Sequence, residues 1–232
     1  MTYTYEYPKA DHTVDAVVFG ADLKSSSLQL LLVERDLEPY SGMWALPGGF
    51  IHLDEDLDAA VARELEEETG ISVSYLEQLY TFGHPDRDPR GHVISTAYLS
   101  LVRPGQVQLA SGTDARATDW FPIERLPRLA FDHKAIVASA LTRLRSKLPW
   151  QPVGIELLPK TFTLTDLQRI YEIILGHSLD KRNFRRKVLG FNVLRATGET
   201  RKEGRRPAQL YAFERKRYNA LRKTGVDFEV KV

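Results

Sequence analysis

Glu64, Glu67 and Glu68 lie at i, i+3 and i+4 in "GGFIHLDEDLDAAVARELEEETGI". On a helix that spacing gathers three carboxylates on one face, where like charges repel. Either the face is solvated, with Arg63 as an intrahelical salt-bridge partner, or a positive group sits among the glutamates. Mg²⁺ (or Mn²⁺) suits the second case, because a hard cation prefers carboxylate, carbonyl and water oxygens. Gly48 and Gly49 let backbone carbonyls approach with no side chain in the way. A pyrophosphate brought to such a site has its charge neutralised, and a water beside it is polarised for attack.

Placing these residues requires a helix behind a tight approach. The acidic cluster Asp54–Asp58 suits a helix N-terminus, and Gly70 suits a left-handed stop. Between them, Leu57, Val61 and Leu65 repeat every four residues and face a core. Upstream, "TVDAVVFGA" and "LQLLLVERD" flank a polar turn and read as a hairpin. "ISVSYLEQLYTFG" and "HVISTAYLSLVR" read as strands joined by the loop "HPDRDPRG". "ATDWFPIERLP" is a short strand and turn. A second long helix begins near Asp132, with Ile136, Ala140 and Leu144 on its apolar face and Val137, Leu141 and Leu148 beside them.

The spacing G-x5-E-x7-R-E-L-x-E-E-x-G-I is complete, with Gly49, Glu55, Arg63, Glu64, Leu65, Glu67, Glu68, Gly70 and Ile71 in the fixed positions. It resembles the Nudix box, the signature of hydrolases acting on nucleoside diphosphates linked to another group. That resemblance covers residues from about 10 to 148. It implies metal binding by Glu64, Glu67, Glu68 and the Gly48 carbonyl, and a catalytic set of these glutamates with Arg63 orienting them. No general base follows from it. The stretches around Arg35, Glu38 and Trp44, and around Phe82, Asp86, Arg87, Asp88 and Arg90, are similar to the Nudix branch that handles ADP-ribose. Arg35, Trp44, Gly48, Gly49, Phe82, Arg87 and Arg90 are therefore the expected ligand contacts, arginine being a bidentate phosphate donor. The loop also reads as a Pro/Asp/Gly turn with local salt bridges, and Trp44 and Phe82 also read as core residues.

Charge divides the chain. Residues 1–150 hold 14 Lys+Arg against 22 Asp+Glu, and residues 151–232 hold 18 against 9. A basic half points to a polyanion. The proline-rich "PWQPVGIELLPK" sits where the balance flips, so the expected division is 1–149 and 150–232. Beyond it, Thr165 and Gln168 offer a capping box and Gly176 a stop. A second helix follows, capped by Asp180 and stopped at Gly190. Its Phe184, Val188 and Leu189 dock on a small core, while Arg182, Arg185 and Arg186 form a stripe flanked by Lys181 and Lys187. Two strands, roughly 192–196 and 209–213, are expected around a long basic loop carrying Arg201, Lys202, Arg205 and Arg206. This is a helix-turn-helix order with a wing, suited to double-stranded DNA through phosphates and base edges. A solvated basic face, or a winged helix used for dimerisation, would look the same.

The two halves together resemble the Nudix-related transcriptional regulators of NAD metabolism, the NrtR family. The resemblance implies an α/β Nudix sandwich (α/β/α, with a mixed sheet) followed by a small winged helix-turn-helix domain. It also implies a homodimeric repressor released from DNA by ADP-ribose. Many such regulators have a decayed box, whereas this box is whole, which keeps an ADP-ribose pyrophosphatase as the alternative. The remaining features narrow the class. The chain has no cysteine, so disulfides and thiolate chemistry are excluded. The six histidines show no helical metal-ligand spacing. The N-terminus does not read as a secretory signal, and no apolar run approaches the roughly 20 residues needed to span a bilayer. A cytoplasmic protein with no membrane partner is expected.

Overall fold

A computed structural model of the chain describes residues 6–73, 75–104, 115–203 and 206–223. They form two compact units. One comprises the chain up to Gly20 with Gln29–Ala140; the other comprises Ala21–Leu28 and the chain from Leu141 onward.

The first unit is built on a seven-stranded mixed sheet. Its strands are β1 (Asp11–Asp22), β2 (Ser27–Arg35), β3 (Trp44–Ala45), β4 (Gly48–Phe50), β5 (Leu76–Phe82), β6 (Val93–Leu101) and β7 (Ala115–Pro122). The order is β3-β2-β1-β6-β5, with β4 on β1 and β7 on β2. β1 and β6 run parallel from Asp11↔Val93 to Phe19↔Leu101, whereas β4 pairs antiparallel with β1 through Asp15↔Gly48. Thr13 to Gly20 are all buried, so both faces of the central strand are covered, and that is why its sequence is a run rather than an alternation.

Helix α1 (Leu57–Thr69) lies between β4 and β5. The Asp56 carboxylate caps it by accepting from the Ala59 N–H at 2.8 Å, and Gly70 ends it at φ 71°. Ala60, Val61 and Leu65 pack with Val14, Ala16, Val18 and Leu31 of the sheet. The expected stripe therefore fixes which way the glutamates of the opposite face point. Helix α2 (His133–Lys147) follows β7 and buries Ile136, Val137, Ala140 and Leu144. The carboxylate of Asp132, just before it, receives Arg87 Nη2 at 2.8 Å.

In the second unit β8 (Thr161–Phe162) precedes α3 (Leu164–Leu175), α4 (Lys181–Gly190), β9 (Leu194–Glu203), β10 (Arg206–Phe213) and α5 (Arg215–Lys223). Leu167, Ile170, Tyr171 and Ile174 of α3 are buried, and Tyr171 meets Phe184 of α4 edge-on at 5.2 Å. Arg145 Nε donates to the Ile174 carbonyl at 2.8 Å, placing a cation at the C-terminus of α3.

Several local expectations are corrected here. The capping box of α3 is Thr163 with Asp166, two residues earlier than Thr165 with Gln168. Thr165 instead accepts from Arg185. Leu189 is 44% exposed rather than docked, because only Phe184 and Val188 share the inward face of α4. Helix α4 ends at Gly190 as expected, but the left-handed turn after it is made by Asn192 at φ 53°. The loop expected between 197 and 208 is mostly ladder, with Arg201↔Ala208 and Lys202↔Pro207 opposed across β9 and β10. Backbone hydrogen bonds hold that hairpin, so its polar side chains gave no alternation to read.

Candidate functional site

Strand β4 and helix α1 meet at the two glycines. Gly48 sits at φ 153°, where a Cβ would lie 2.1 Å from the Val14 carbonyl oxygen. At Gly49 a Cβ would lie 2.4 Å from Glu64 Oε1. The first glycine admits the neighbouring strand and the second admits the glutamate. The Gly48 N–H donates to Glu68 Oε2 at 2.9 Å. Arg63 forks onto Glu55 at 2.7 and 3.0 Å. It also reaches Glu64 at 2.9 Å, Glu67 at 3.0 Å and the Phe50 carbonyl at 3.2 Å. One guanidinium therefore organises three carboxylates. The fork holds Glu55 down at about 2, and the same contacts raise Arg63 above its ordinary range.

Glu64 and Glu68 line a cavity of about 300 Å³, whereas the Glu67 side chain is 59% exposed. Burial pushes Glu68 up to about 8, helped by the charges of Glu64 and Asp15 and opposed by the Gly48 N–H. Burial likewise raises Glu64. Two largely buried carboxylates thus line one wall. Among the described residues no group of three or more His, Asp or Glu side chains closes on one point, since Arg63 draws Glu64 and Glu67 while Gly48 draws Glu68. The donor chemistry still fits a hard divalent cation: all oxygen, anionic, and destabilised by burial without one.

Sequence reasoning did not find the rest of the lining. Asp15, Leu37, Phe50, Asp88, Phe131 and His133 all face the cavity. The Leu46 N–H donates to His133 Nδ1 at 2.9 Å, so His133 Nε2 carries the proton and lies 3.3 Å from Asp15 Oδ1. Ser95 Oγ donates to the other oxygen of Asp15. Arg87, its side chain 4% exposed, bridges Asp15 and Asp132 and is part of the wall. Arg90 grips Asp88 at 2.6 Å. Arg35 differs: its Nε donates to the Pro39 carbonyl at 2.9 Å, and no carboxylate lies within ion-pair distance among the described residues.

Trp44 and Phe82 are not brought to the lining. Trp44 packs edge-on against Phe121 at 4.6 Å, and Phe82 packs against Tyr80 at 5.3 Å on β5. Of the expected ligand contacts, Arg35, Gly48, Gly49, Arg87 and Arg90 converge. The missed residues come from stretches up to 118 positions apart; in sequence, Phe131–His133 reads only as a helix start.

On the second unit, Lys181, Arg182 and Arg186 are exposed on α4. Arg186 rests on Asn183 at 2.8 Å. Arg185 is drawn inward, with Nη2 on Thr165 at 3.1 Å and a buried Nε. Arg201 pairs with Asp166 at 2.7 Å and with Glu203. Arg205 lies outside the described residues, and Arg206 opens β10 opposite Glu203. Among the described residues no helix is long and apolar enough to cross a membrane.

Comparison with known proteins adds to this geometry. Residues 10–140 match the NUDIX domain, and residues 154–213 match the NrtR DNA-binding winged helix domain. The chain is 40% identical over 220 residues to the ADPR responsive transcriptional repressor NtrR of Acinetobacter baylyi, covering 92% of this chain and 86% of that protein. It is similar to Shewanella oneidensis NrtR complexed with a 27mer DNA, with a TM-score of 0.79, 37% identity, and 89% and 95% of the two chains covered. The NUDIX domain of the same Shewanella protein complexed with ADP ribose aligns with a TM-score of 0.52 at 38% identity, covering 60% of this chain and 90% of that one.

Proposed function

The chain belongs to the Nudix family, in the branch that joins a Nudix domain to an NrtR DNA-binding winged helix domain, and on that premise we propose that it is a transcriptional repressor of NAD metabolism that ADP-ribose releases from double-stranded DNA. The observation that carries the reading is the pairing of two sites in one chain. The first unit holds a cavity with buried carboxylates and with Arg35, which has no carboxylate within ion-pair distance among the described residues. The second presents Lys181, Arg182 and Arg186 on α4 with no carboxylate within ion-pair distance among the described residues. Residues 1–149 serve as the sensor and 150–232 as the DNA-binding part. The protein works as a cytoplasmic homodimer on two spaced half-sites.

Release follows if ADP-ribose binds the DNA-free form more tightly than the DNA-bound form. Arg35 takes a phosphate of the ligand, while Arg87 and Arg90 shape the wall through their carboxylate partners. A divalent ion, Mg²⁺ or Mn²⁺, would be held by Glu64, Glu67, Glu68 and the Gly48 carbonyl, where it supplies neutralisation of the pyrophosphate charge. Arg63 sets the rotamers of Glu64 and Glu67, and the Gly48 N–H sets that of Glu68.

The complete box favours a second reading, in which the site also hydrolyses ADP-ribose to AMP and ribose 5-phosphate. The two are separated by fluorescence anisotropy on a labelled duplex from upstream of the gene's own operon, with ADP-ribose titrated at fixed salt and Mg²⁺. Tight, selective binding reversed by ADP-ribose is the result expected of a sensor. Binding no tighter than to random DNA at several candidate duplexes would move the function to the pyrophosphatase.

A further inference from the structure

Two elements of the chain belong to both units. β1 starts at Asp11 in the first unit and enters the second at Ala21; α2 starts at His133 in the first and enters the second at Leu141. Their first-unit ends carry the two halves of one ion pair. Asp15 of β1 and His133 of α2 face each other at 3.3 Å in the cavity wall, both of them buried. The Leu46 N–H holds the far side of the His133 ring, and the Ser95 hydroxyl holds the other oxygen of Asp15.

Their second-unit ends both grip α3. After β1 the chain folds on itself in a tight turn. The Asp22 carboxylate accepts from the Lys24 N–H at 2.8 Å, from the Ser25 N–H at 3.3 Å and from the Ser25 hydroxyl at 2.6 Å. Ser26 follows in the left-handed region at φ 54°. Arg169 of α3 closes on this turn. A single nitrogen, Nη2, donates to the Leu23 carbonyl at 2.5 Å and to Ser26 Oγ at 2.9 Å. From α2, Arg145 Nε donates to the Ile174 carbonyl near the end of α3 at 2.8 Å.

Both elements are built to shift as single pieces. β1 is buried from Thr13 to Gly20 and paired to β6 over that stretch. α2 has neither glycine nor proline between His133 and Lys147, and it buries Ile136, Val137, Ala140 and Leu144. Close-packed interiors pass strain on rather than absorb it. The clasp at Arg169 is of another kind. Its acceptors are a neutral carbonyl and a neutral hydroxyl, and the Ser26 bond is exposed. Such a clasp opens without stranding a buried charge, so it opens at small cost.

We infer that Arg169 is the positioning residue through which occupation of the cavity reaches the helix-turn-helix, with the turn of residues 22–26 as its counterpart. A ligand that shifts Asp15 against His133 displaces β1 and α2 unequally. Helix α3 is tied to one by Arg169 and to the other by Arg145, so it tilts. Helix α4 packs on α3 through Phe184 and Tyr171 and is carried with it, together with Lys181, Arg182 and Arg186. Coupling between sites needs an element with two arrangements that both sites bias; the Arg169 clasp, closed or open, supplies it. This rests on the reading of the chain as an ADP-ribose-responsive repressor and names the contact on which that response depends.

The test reads a release ratio, the DNA affinity of the full-length protein without and with saturating ADP-ribose, by anisotropy at fixed salt and Mg²⁺. Calorimetry gives the ADP-ribose affinity in the absence of DNA. Effector couplings of this kind run from about 5-fold to about 150-fold. Arg169→Ala should bring the ratio below about threefold while each separate affinity stays within about twofold of wild type. Because one nitrogen serves both acceptors, an ammonium can replace it, and Arg169→Lys should restore most of the ratio. If Arg169→Ala fails to fold, Ser26→Gly decides. It removes the hydroxyl acceptor at a φ that glycine adopts freely, and it should lower the ratio at least about twofold. A ratio kept at the wild-type value, whether or not DNA affinity itself falls, would overturn the inference and leave Arg169 a structural contact. A wild-type protein whose DNA affinity ADP-ribose does not change would refute the repressor reading before any variant is compared, and the inference would fall with it.

Discussion

Gly48 and Gly49 are adjacent, yet the structure gives them different work, and replacing each by alanine should separate fold from site. At Gly48 the added Cβ meets the Val14 carbonyl oxygen at 2.1 Å and the Asp15 Cα at 2.9 Å. Both belong to the backbone of the central strand, which is paired on its other side to β6 and cannot retreat. The residue also sits at φ 153°. Overpacking and backbone strain together put the loss at about 2–5 kcal/mol, or a melting temperature lower by roughly 5–15 °C. At Gly49 the Cβ meets Glu64 Oε1 at 2.4 Å, where ordinary contact begins at 3.4 Å. The carboxylate must retreat by about 1 Å, which a side chain can do by rotating. That rotation breaks its 2.9 Å contact with Arg63. Gly49→Ala should therefore melt within about 3 °C of wild type but bind Mn²⁺ about 10- to 100-fold more weakly. Differential scanning calorimetry and Mn²⁺ titration of both variants make the comparison. The reasoning fails if Gly48→Ala melts like wild type, or if Gly49→Ala is the less stable variant and keeps its Mn²⁺ affinity.

Burial lifts Glu68 from an ordinary 4.5 to about 8, so between those values the native protein keeps a proton that the unfolded chain has released. Its contribution is full below pH 4.5 and is lost as pH rises toward 8, on the order of 5 kcal/mol over the window. Melting of the metal-free protein should show this decline, and Glu68→Gln should flatten it; parallel pH profiles would contradict the burial argument. Arg182→Ala with Arg186→Ala should lower DNA affinity and, with two cations lost from each protomer of the dimer, reduce the slope of log affinity against log salt by about 4, read by anisotropy across a salt series. Arg201→Ala should change that slope little and instead lower stability, because its charge is engaged by Asp166 and Glu203. Asp180→Ala removes the cap that receives the Asn183 N–H at 2.7 Å, and should cost about 1 kcal/mol in urea unfolding.

The sequence was most legible where chemistry and local geometry coincide. The glutamates, Arg63 and the two glycines occupy one short stretch, and a single helix face with a single close approach explains all of them. Helix α1 was equally readable, since Asp56, the Val61–Leu65 spacing and Gly70 each act within a few residues. The rest of the cavity lining was not readable. Phe131 belongs to it because of a left-handed backbone, and Asp15 because the parallel register, with Ser95 opposite Thr13, leaves the Ser95 hydroxyl within reach of its carboxylate. Neither leaves a periodic trace. Trp44 and Phe82, whose stretches resemble the ADP-ribose branch, read equally as ligand contacts or as core residues; each packs on a ring of the sheet, Trp44 on Phe121 and Phe82 on Tyr80.

The basic half shows a related limit, and it bears on how charge should be counted. Composition treats each arginine of the second unit as an equal invitation to a polyanion. In the structure they divide. Arg201 is held by two carboxylates, and Arg215 by Glu156 at 2.7 Å. Arg185 turns toward Thr165 with its Nε buried, and Arg145 closes the end of α3. These cations are engaged within the second unit itself. Lys181, Arg182 and Arg186 share α4 with Phe184 and Val188, and the inward pull of those two residues is what points the three outward. The excess charge that matters for a phosphate backbone is thus smaller than the composition suggests, and it is shared between α4 and the exposed Lys216, Arg217 and Lys223 of α5. Within the helix-turn-helix the duplex contact falls to α4, and Lys202 of β9 keeps an exposed charge on the wing.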